Sequence, residues 1–474
     1  MAWRVTVACS SPSDEDSATG HAASVDFFRR SPILEVWPGG TMSLYTINSA
    51  LTIRHADVAT VGNAHVRSRR LRFGLLAVAA LLLGNAASAQ DGSADPGFVA
   101  DTNGGTGYVN AVVRQSDGKI LVGGSFTTIN GVEKANIVRL NAADGSVDSS
   151  FVASVTDPIN NNAQVSVIAV QPDGRILVGG TFTAVDGVQR NSLARLNIDG
   201  SVDTSFDPAG TGGPNGSVYA LALQSDGRIY VGGSFNSVGA TARASLARLN
   251  ANGSLDASFT EANEFVFSVR ALLLQPDGKL VTGWEFGAGE GNYIIVRLNT
   301  NGTLDTTFNV SLGDSSPTLY VSTLTWQPDD GAGKILIAGN FPTINGTPRN
   351  CVARVNAANG VVDSTYNPDL GAGCYVEALL RKPDGSVLVS GGFDTVGGQA
   401  RSNFARLKPS GQLDAGFDAT TSPPNSVANV SAIAQQPDGK LVVGGIFSVI
   451  GGESHYNIAR ILDDKIFANG FEAQ

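Results

Sequence analysis

QPDGRILVGGTF, Gln171 to Phe182, returns with small edits at Gln115, Gln224, Gln275, Gln327, Lys382 and Gln436, seven copies in a chain of 474 residues. Successive copies lie 51 to 56 residues apart, a period in the range of propeller or solenoid units. The run before it, Val165 to Val170, alternates in character. Pro172-Asp173-Gly174 then makes a turn, and Ile176-Leu177-Val178 resumes the strand. Two β-rich runs around a short Gly-containing turn read as a hairpin, with Gly174 supplying the positive φ at no steric cost. About ten residues lead to a third strand, Leu193 to Asn197, and Asp199-Gly200 turns it into a fourth, Ser201 to Phe206. Four short antiparallel strands without a helix fit one blade of a β-propeller. A solenoid is the alternative, but its turns rarely carry a four-strand meander.

The ends decide between ring and solenoid. The fourth-strand signature Asp-x-x-Phe/Tyr closes six units, as at Asp148/Phe151, Asp203/Phe206 and Asp414/Phe417. A seventh copy, Asp95/Phe98, stands ahead of the first unit, and the last unit stops after Ile461 without one. A ring resolves this offset, because the N-terminal strand then completes the last blade and both edges find a partner. The expectation is an all-β, seven-bladed β-propeller of four-stranded antiparallel blades, closed by its N-terminal strand.

Residues 1–65 show no repeat and read as an unstructured upstream extension. Residues 66–89 follow with Arg67-Ser-Arg-Arg-Leu-Arg72, an apolar run from Phe73 to Leu83, and Ala87-Ser88-Ala89 before Gln90. That is the order of a secretory signal peptide, and the run is too short to span a membrane. A start at Val66 accounts for its position; a long leader is the rival, and a twin-arginine signal fits less well because Phe73 falls one position late. The ring occupies 90–463 and a tail, 464–474, contains IFANGFE. From Gln90 onward, 24 Lys and Arg face 36 Asp and Glu. That balance disfavours nucleic acid or an anionic membrane as partner. The mature chain is expected to be an exported monomer, periplasmic or extracellular, with no transmembrane segment.

The combination PDGK-(I/L)-x-VGG-x-F, N-x-ARLN and DGS-(L/V)-D-x-SF, running from Asp95 to Ile461, resembles the delta-60 repeat family of bacterial secreted proteins. The paired glycines, such as Gly123-Gly124, are more distantly similar to kelch repeats. The resemblance implies a propeller-like secreted protein and carries no established activity, cofactor or catalytic residue.

Recurrence separates scaffold from site, since one active site needs its residues once. Arg139, Arg195, Arg248, Arg297, Arg354, Arg406 and Arg460 recur in the third strand and are expected to pair with a recurrent Asp or with carbonyls. The recurrent Phe126, Phe182, Phe235, Phe286, Phe341, Phe393 and Phe447 are expected to fill the space between blades. Asn197-x-Asp199-Gly200-x-x-Asp203 lacks the distal Glu of a calcium loop. With His455 the one histidine after Ala89, no His-rich metal site or nucleophile elbow is expected. Neither metal nor cofactor is foreseen. Cys351 and Cys374 read either as a disulfide or as two buried thiols.

The variable blade-to-blade linkers and the loops between second and third strands should share one face, where binding usually sits. That face bears a basic slot: Lys134, Arg190, Arg243, Arg349, Arg401 and His455, with Asn292 in the exception. The slot reads as a cationic ring for an acidic ligand, or as bases paired with nearby Asp. The fourth blade breaks pattern: Trp284-Glu285 replaces small residues and the following loop is shorter, which suggests a carbohydrate contact or a space-filling indole. The functional expectation is a secreted, non-catalytic binding or cell-surface scaffold for a glycan or another protein. The alternative is a polysaccharide-acting enzyme with its site at the channel mouth.

Overall fold

The computed structural model describes residues 91–463 apart from 103–106, 209–212, 261–267, 286–292, 314–318, 330, 332, 420 and 423–427, together with three upstream strands. Contacts divide the chain into two units, residues 1–87 and 88–474. In the first, Trp3–Ala8, Ala22–Phe28 and Ser31–Val36 form an antiparallel sheet with Val5 opposite Val25 and Val25 opposite Leu34. These three strands fall within residues 1–65, and each carries a short period-2 alternation, as in Trp3/Val5/Val7. The leader, 66–89, and the tail, 464–474, lie outside the described residues.

The second unit is all-β, with no α-helix among its described residues. Each of seven repeats builds the same antiparallel trio. In repeat 2 these are Gln164–Val170, Ile176–Thr181 and Leu193–Leu196. The turn between the first two has Gly174 at φ +84°, as the Pro-Asp-Gly sequence requires. Each first strand carries a bulge near its start, as between Val165 and Val167. The paired glycines answer two different neighbours. A Cβ on Gly180 would lie 2.1 Å from the Gln164 carbonyl oxygen, and one on Gly179 would meet the Val218 side chain of the next repeat at 2.6 Å.

Beyond the trio, the fourth segment attaches by a single bridge, such as Leu196–Val202 or Leu407–Leu413. For repeat 7 that bridge comes from the start of the unit, Ala94 to Ile461. Flanking bonds run from Gly92 N–H to the Leu462 carbonyl (2.8 Å) and from Asp95 N–H to the Arg460 carbonyl (2.7 Å). First strands of neighbouring repeats pack side by side, and the last, Asn429–Gln435, packs beside the first, Tyr108–Arg114.

The core lies at the junctions between repeats. Leu121 and Ile137 of repeat 1 pack with Val165 and Phe182 of repeat 2, and Val109 and Ile120 pack with Val442 and Ile458 of repeat 7. Phe126, Phe182, Phe235, Phe341, Phe393 and Phe447 are all buried in these clusters; Phe286 falls outside the described residues. Burying each Phe contributes roughly 1.5–3 kcal/mol.

The recurrent Arg ties the layers together. Arg195 Nε donates to Asp203 Oδ2 at 2.8 Å, its guanidinium lies 4.6 Å from the Phe206 ring centroid, and NH1 donates to the Ala251 carbonyl of the next repeat at 2.6 Å. The same arrangement recurs through Arg460, which pairs with Asp95, covers Phe98 and donates to the Ala142 carbonyl of repeat 1. Arg406 differs: it is fully buried and bonds three carboxylates, those of Asp414, Asp463 and Asp91.

Candidate functional site

The linkers and the loops between second and third strands do share a face. Val155–Thr156, in the linker after repeat 1, pairs with Ala184–Val185, which forms a small hairpin with Val188–Gln189 in repeat 2. Asn130, at the tip of the equivalent loop in repeat 1, donates its side-chain amide to the Val99 and Gly145 carbonyls.

A left-handed residue just before the third strand locks loop to linker. Asn136, Asn403 and Asn457 have φ of +65°, +63° and +68°, and their amides donate to Val155 O (2.8 Å), Thr421 Oγ1 (2.8 Å) and Gly107 O (2.7 Å) respectively. Cys351 occupies the same slot at φ +64° and bonds covalently to Cys374, with Cα atoms 6.1 Å apart. The thiols therefore form a disulfide, because the linker folds back past the head of the third strand.

The basic slot is folded against its own repeats. Lys134 Nζ donates to the Phe151 carbonyl at 2.9 Å, and Arg190 and Arg243 each donate to the carbonyl of the preceding residue at 2.8 Å. Arg349 does the same to Pro348 and reaches the Asp363 carbonyl, whereas Arg401 pairs with Asp418 at 2.7 Å. His455 is half-buried; burial lowers its pKa, against the opposing pull of Asp101 and Glu453. Backbone carbonyls accept most of the bonds described for this slot, while Nε of Arg190, Arg349 and Arg401 is buried without a hydrogen-bond partner among the described residues.

Trp284 is 3 % exposed. Its Nε1–H donates to Thr282 Oγ1 at 2.8 Å, and the indole packs with Tyr230, Phe259, Val269 and Leu298. No open ring face remains for a sugar, so Trp284 acts as a packing residue. In the other six repeats a Cβ at this position would meet a carbonyl oxygen at 2.0–2.1 Å. The backbone of Glu285 pairs with Tyr320 of repeat 5, joining two sheets. Asn292 and most of the shortened loop lie outside the described residues.

A different set of residues converges at the linker end of the first strands, on positions one and three. Arg270 lies between two tyrosines, its guanidinium carbon 5.2 Å from the Tyr219 ring centroid and 5.8 Å from that of Tyr320. Tyr320 Oη donates to Glu377 Oε1 at 3.0 Å, and Ser322 Oγ donates to the Val376 carbonyl at 2.5 Å. Burial and then the Glu377 charge push the phenol of Tyr320 well above the usual tyrosine value, and the same two causes raise that of Tyr375. They stay neutral donors. All five, Tyr219, Arg270, Tyr320, Tyr375 and Glu377, are half-buried. Aromatic faces, one cation and one carboxylate thus meet across four repeats, a combination suited to stacking and hydrogen-bonding a polar ligand. Their signal in the sequence is mixed: position three elsewhere holds Asn110, Ser166, Ser322 and Ser431, whereas a tyrosine recurs at position one, where Tyr108 Oη donates to Gln164 Oε1 at 2.7 Å as Tyr320 does to Glu377.

A family model described as "Domain of unknown function (DUF5122) beta-propeller" matches residues 115–151, 171–206, 224–259, 275–308, 332–366, 382–417 and 436–464. No curated protein matches the chain. Among solved structures, the extracellular domain of BT4673 from B. thetaiotaomicron is similar at 13 % identity and a TM-score of 0.46, over 79 % of this chain and 40 % of that one. The chain thus spans about two fifths of that domain's length. The WD40 β-propeller domain of Doa1 is similar at 17 % identity and TM-score 0.45, over 79 % of this chain and 97 % of that one. YCF48 bound to D1 peptide is similar at 12 % and 0.43, over 80 % and 100 %. At these identities and scores the likenesses say nothing of ligand or partner.

Proposed function

For this chain, which belongs to the DUF5122 beta-propeller family, we propose the role of an exported, non-catalytic binding scaffold. Its seven repeats act as seven four-stranded blades of a closed ring, with Ala94–Phe98 as the outer strand of the last blade. Supporting closure are the Ala94–Ile461 bridge, the Arg460–Asp95 pair and the shared core of repeats 7 and 1. Export is supported by the signal-like segment 66–89 and by a disulfide, which belongs to an oxidising compartment.

The ligand, a glycan or a protein segment, is held at the channel mouth on the linker face. The observation that carries this reading is the Arg270 guanidinium set between Tyr219 and Tyr320 beside Glu377. Stacking on two rings fixes the guanidinium plane in advance, so less side-chain freedom is lost on binding. The basic slot enters only as a clamp on the loops that frame the mouth. The test is retention of the full chain on glycan and peptide arrays. At least one class should be retained, and Arg270→Ala should weaken retention by about tenfold or more, roughly 1.4 kcal/mol, with an unchanged melting temperature. Retention of nothing, or equal retention by the variant, removes the reading.

A further inference from the structure

On the face opposite the linkers, we infer a second binding site, a cleft of about 630 Å³ between the hairpin turns of repeats 4 and 5 that takes one sugar unit of a neutral oligosaccharide. The cleft lies where repeat 5 breaks the common turn. QPDDGAGK, Gln327 to Lys334, carries three residues more than the QPDGK of repeat 4 or the KPDGS of repeat 6. Trp326 lines the cleft and is half-buried. Its ring lies across the enlarged turn at Gly333, where a Cβ would come within 2.2 Å of the indole and φ is +81°. One side of the ring is thus backed by backbone, and Pro276 and Pro328 add apolar walls.

The polar groups of the cleft choose the ligand class. Its cations are already spent: Lys279 Nζ sits 2.7 Å and Arg297 Nε 2.8 Å from Asp305 Oδ2, and Arg297 also donates to the Ala357 and Ala358 carbonyls. An anionic ligand finds no unpaired positive charge. The rim instead holds two carboxylates, Asp277 and Asp329, each fixed through Oδ1: Asp277 by Lys279 N–H (3.1 Å), Asp329 by Gly331 N–H (2.9 Å) and Gly333 N–H (2.7 Å). Rigid acceptors beside one aromatic face match the hydroxyl donors and C–H faces of a pyranose. A proline-rich peptide would need a row of aromatic rings, and this cleft offers one.

The site is independent of the channel mouth, so the two readings fail separately. Titration of the full chain with cello-, xylo-, laminari- and maltohexaose, followed by tryptophan fluorescence and calorimetry, provides the test. At least one hexasaccharide should give a saturable change in emission. The fluorescence change should vanish in Trp326→Phe, which keeps an aromatic in place. Deleting residues 330–332 restores the common QPDGK turn and should weaken binding by about tenfold or more, as should Asp277→Asn, which keeps the turn cap. Arg270→Ala should leave this binding intact. The inference is overturned if no hexasaccharide saturates at millimolar concentration, if the folded deletion variant binds equally well, or if an arginine-proline repeat peptide binds where the sugars do not.

Discussion

Trp284 and Cys351 show one residue changing its role through the slot it occupies. The indole of Trp284 fills the interior at a position where six other repeats cannot bear even a methyl group. Trp284→Ala should therefore cost about 3–5 kcal/mol, read as a drop in the denaturant midpoint, with ligand retention unchanged. Cys351 performs covalently what Asn136 and Asn457 do by hydrogen bond. Replacing both cysteines by Ser should cost about 2–4 kcal/mol. Cys351→Asn combined with Cys374→Ser should recover about 1 kcal/mol of that if the slot is a linker clamp, and none if the disulfide is incidental; thermal melts of the two variants decide. In the letters each role stood as one of two alternatives, a sugar contact or a space-filling indole for Trp284 and a disulfide or two thiols for Cys351 and Cys374. A Gly-to-Trp exchange looks like new surface until the backbone shows which way Cβ points. Tyr219, Arg270, Tyr320, Glu377 and Trp326 were not legible as sites, because which neighbours a first-strand residue meets depends on how successive repeats pack.

At the scale of the repeated element, the Arg–Asp–aromatic group is both the edge of one repeat and the tie to the next. Arg248 pairs with Asp256 at 2.7 Å, lies over Phe259 and reaches the Thr300 carbonyl of repeat 4. Arg248→Ala would leave the buried Asp256 with Ser258 and the more distant, partly exposed Arg228 (3.7 Å) as its partners, at a cost of about 3 kcal/mol, measurable by urea denaturation. These carboxylates also set a pH limit. Burial pushes the pKa of Asp95, Asp148, Asp203, Asp256, Asp305 and Asp363 upward, but hydrogen bonds from neighbouring Lys, Ser, Thr and backbone N–H groups, with the adjacent Arg, outweigh it and hold each below the ordinary 3.8. A pKa lowered in the folded state gives stability that is present above the unfolded value and lost as pH falls through the folded one. The melting temperature should hold steady above about pH 5 and fall steeply below about pH 4; a flat profile down to pH 3 would remove the role of these pairs. This level was the most legible. The trio, its turn glycine and the Arg–Asp pair all follow from letters that repeat seven times. The fourth segment was legible as a signature, yet it pairs through a single bridge because the Asp203-x-x-Phe206 turn begins one residue later.

Over the whole molecule, the segment 91–98 belongs structurally to the far end of the chain. Removing it should leave repeat 7 with an open edge and repeat 6 with Arg406 short of the Asp91 carboxylate, lowering stability more than removal of an equal length of tail after Asp463. The offset of signatures at the two ends made this pairing readable before any coordinates, whereas the Arg406–Asp463–Lys382 cluster beside it was not, since Asp463 stands where other repeats offer a carbonyl. The pairing has a consequence for when the molecule can form. Asp95 and Arg460 are 365 positions apart, so the first segment of the seven-repeat unit to be synthesised waits for the last. Contacts of such separation are slow to make. A circular permutant, with residue 463 joined to 91 through a short linker and the chain opened after Phe206, would build every outer strand inside its own repeat. Its refolding rate, followed by tryptophan fluorescence, should exceed that of the native order while its unfolding rate stays the same.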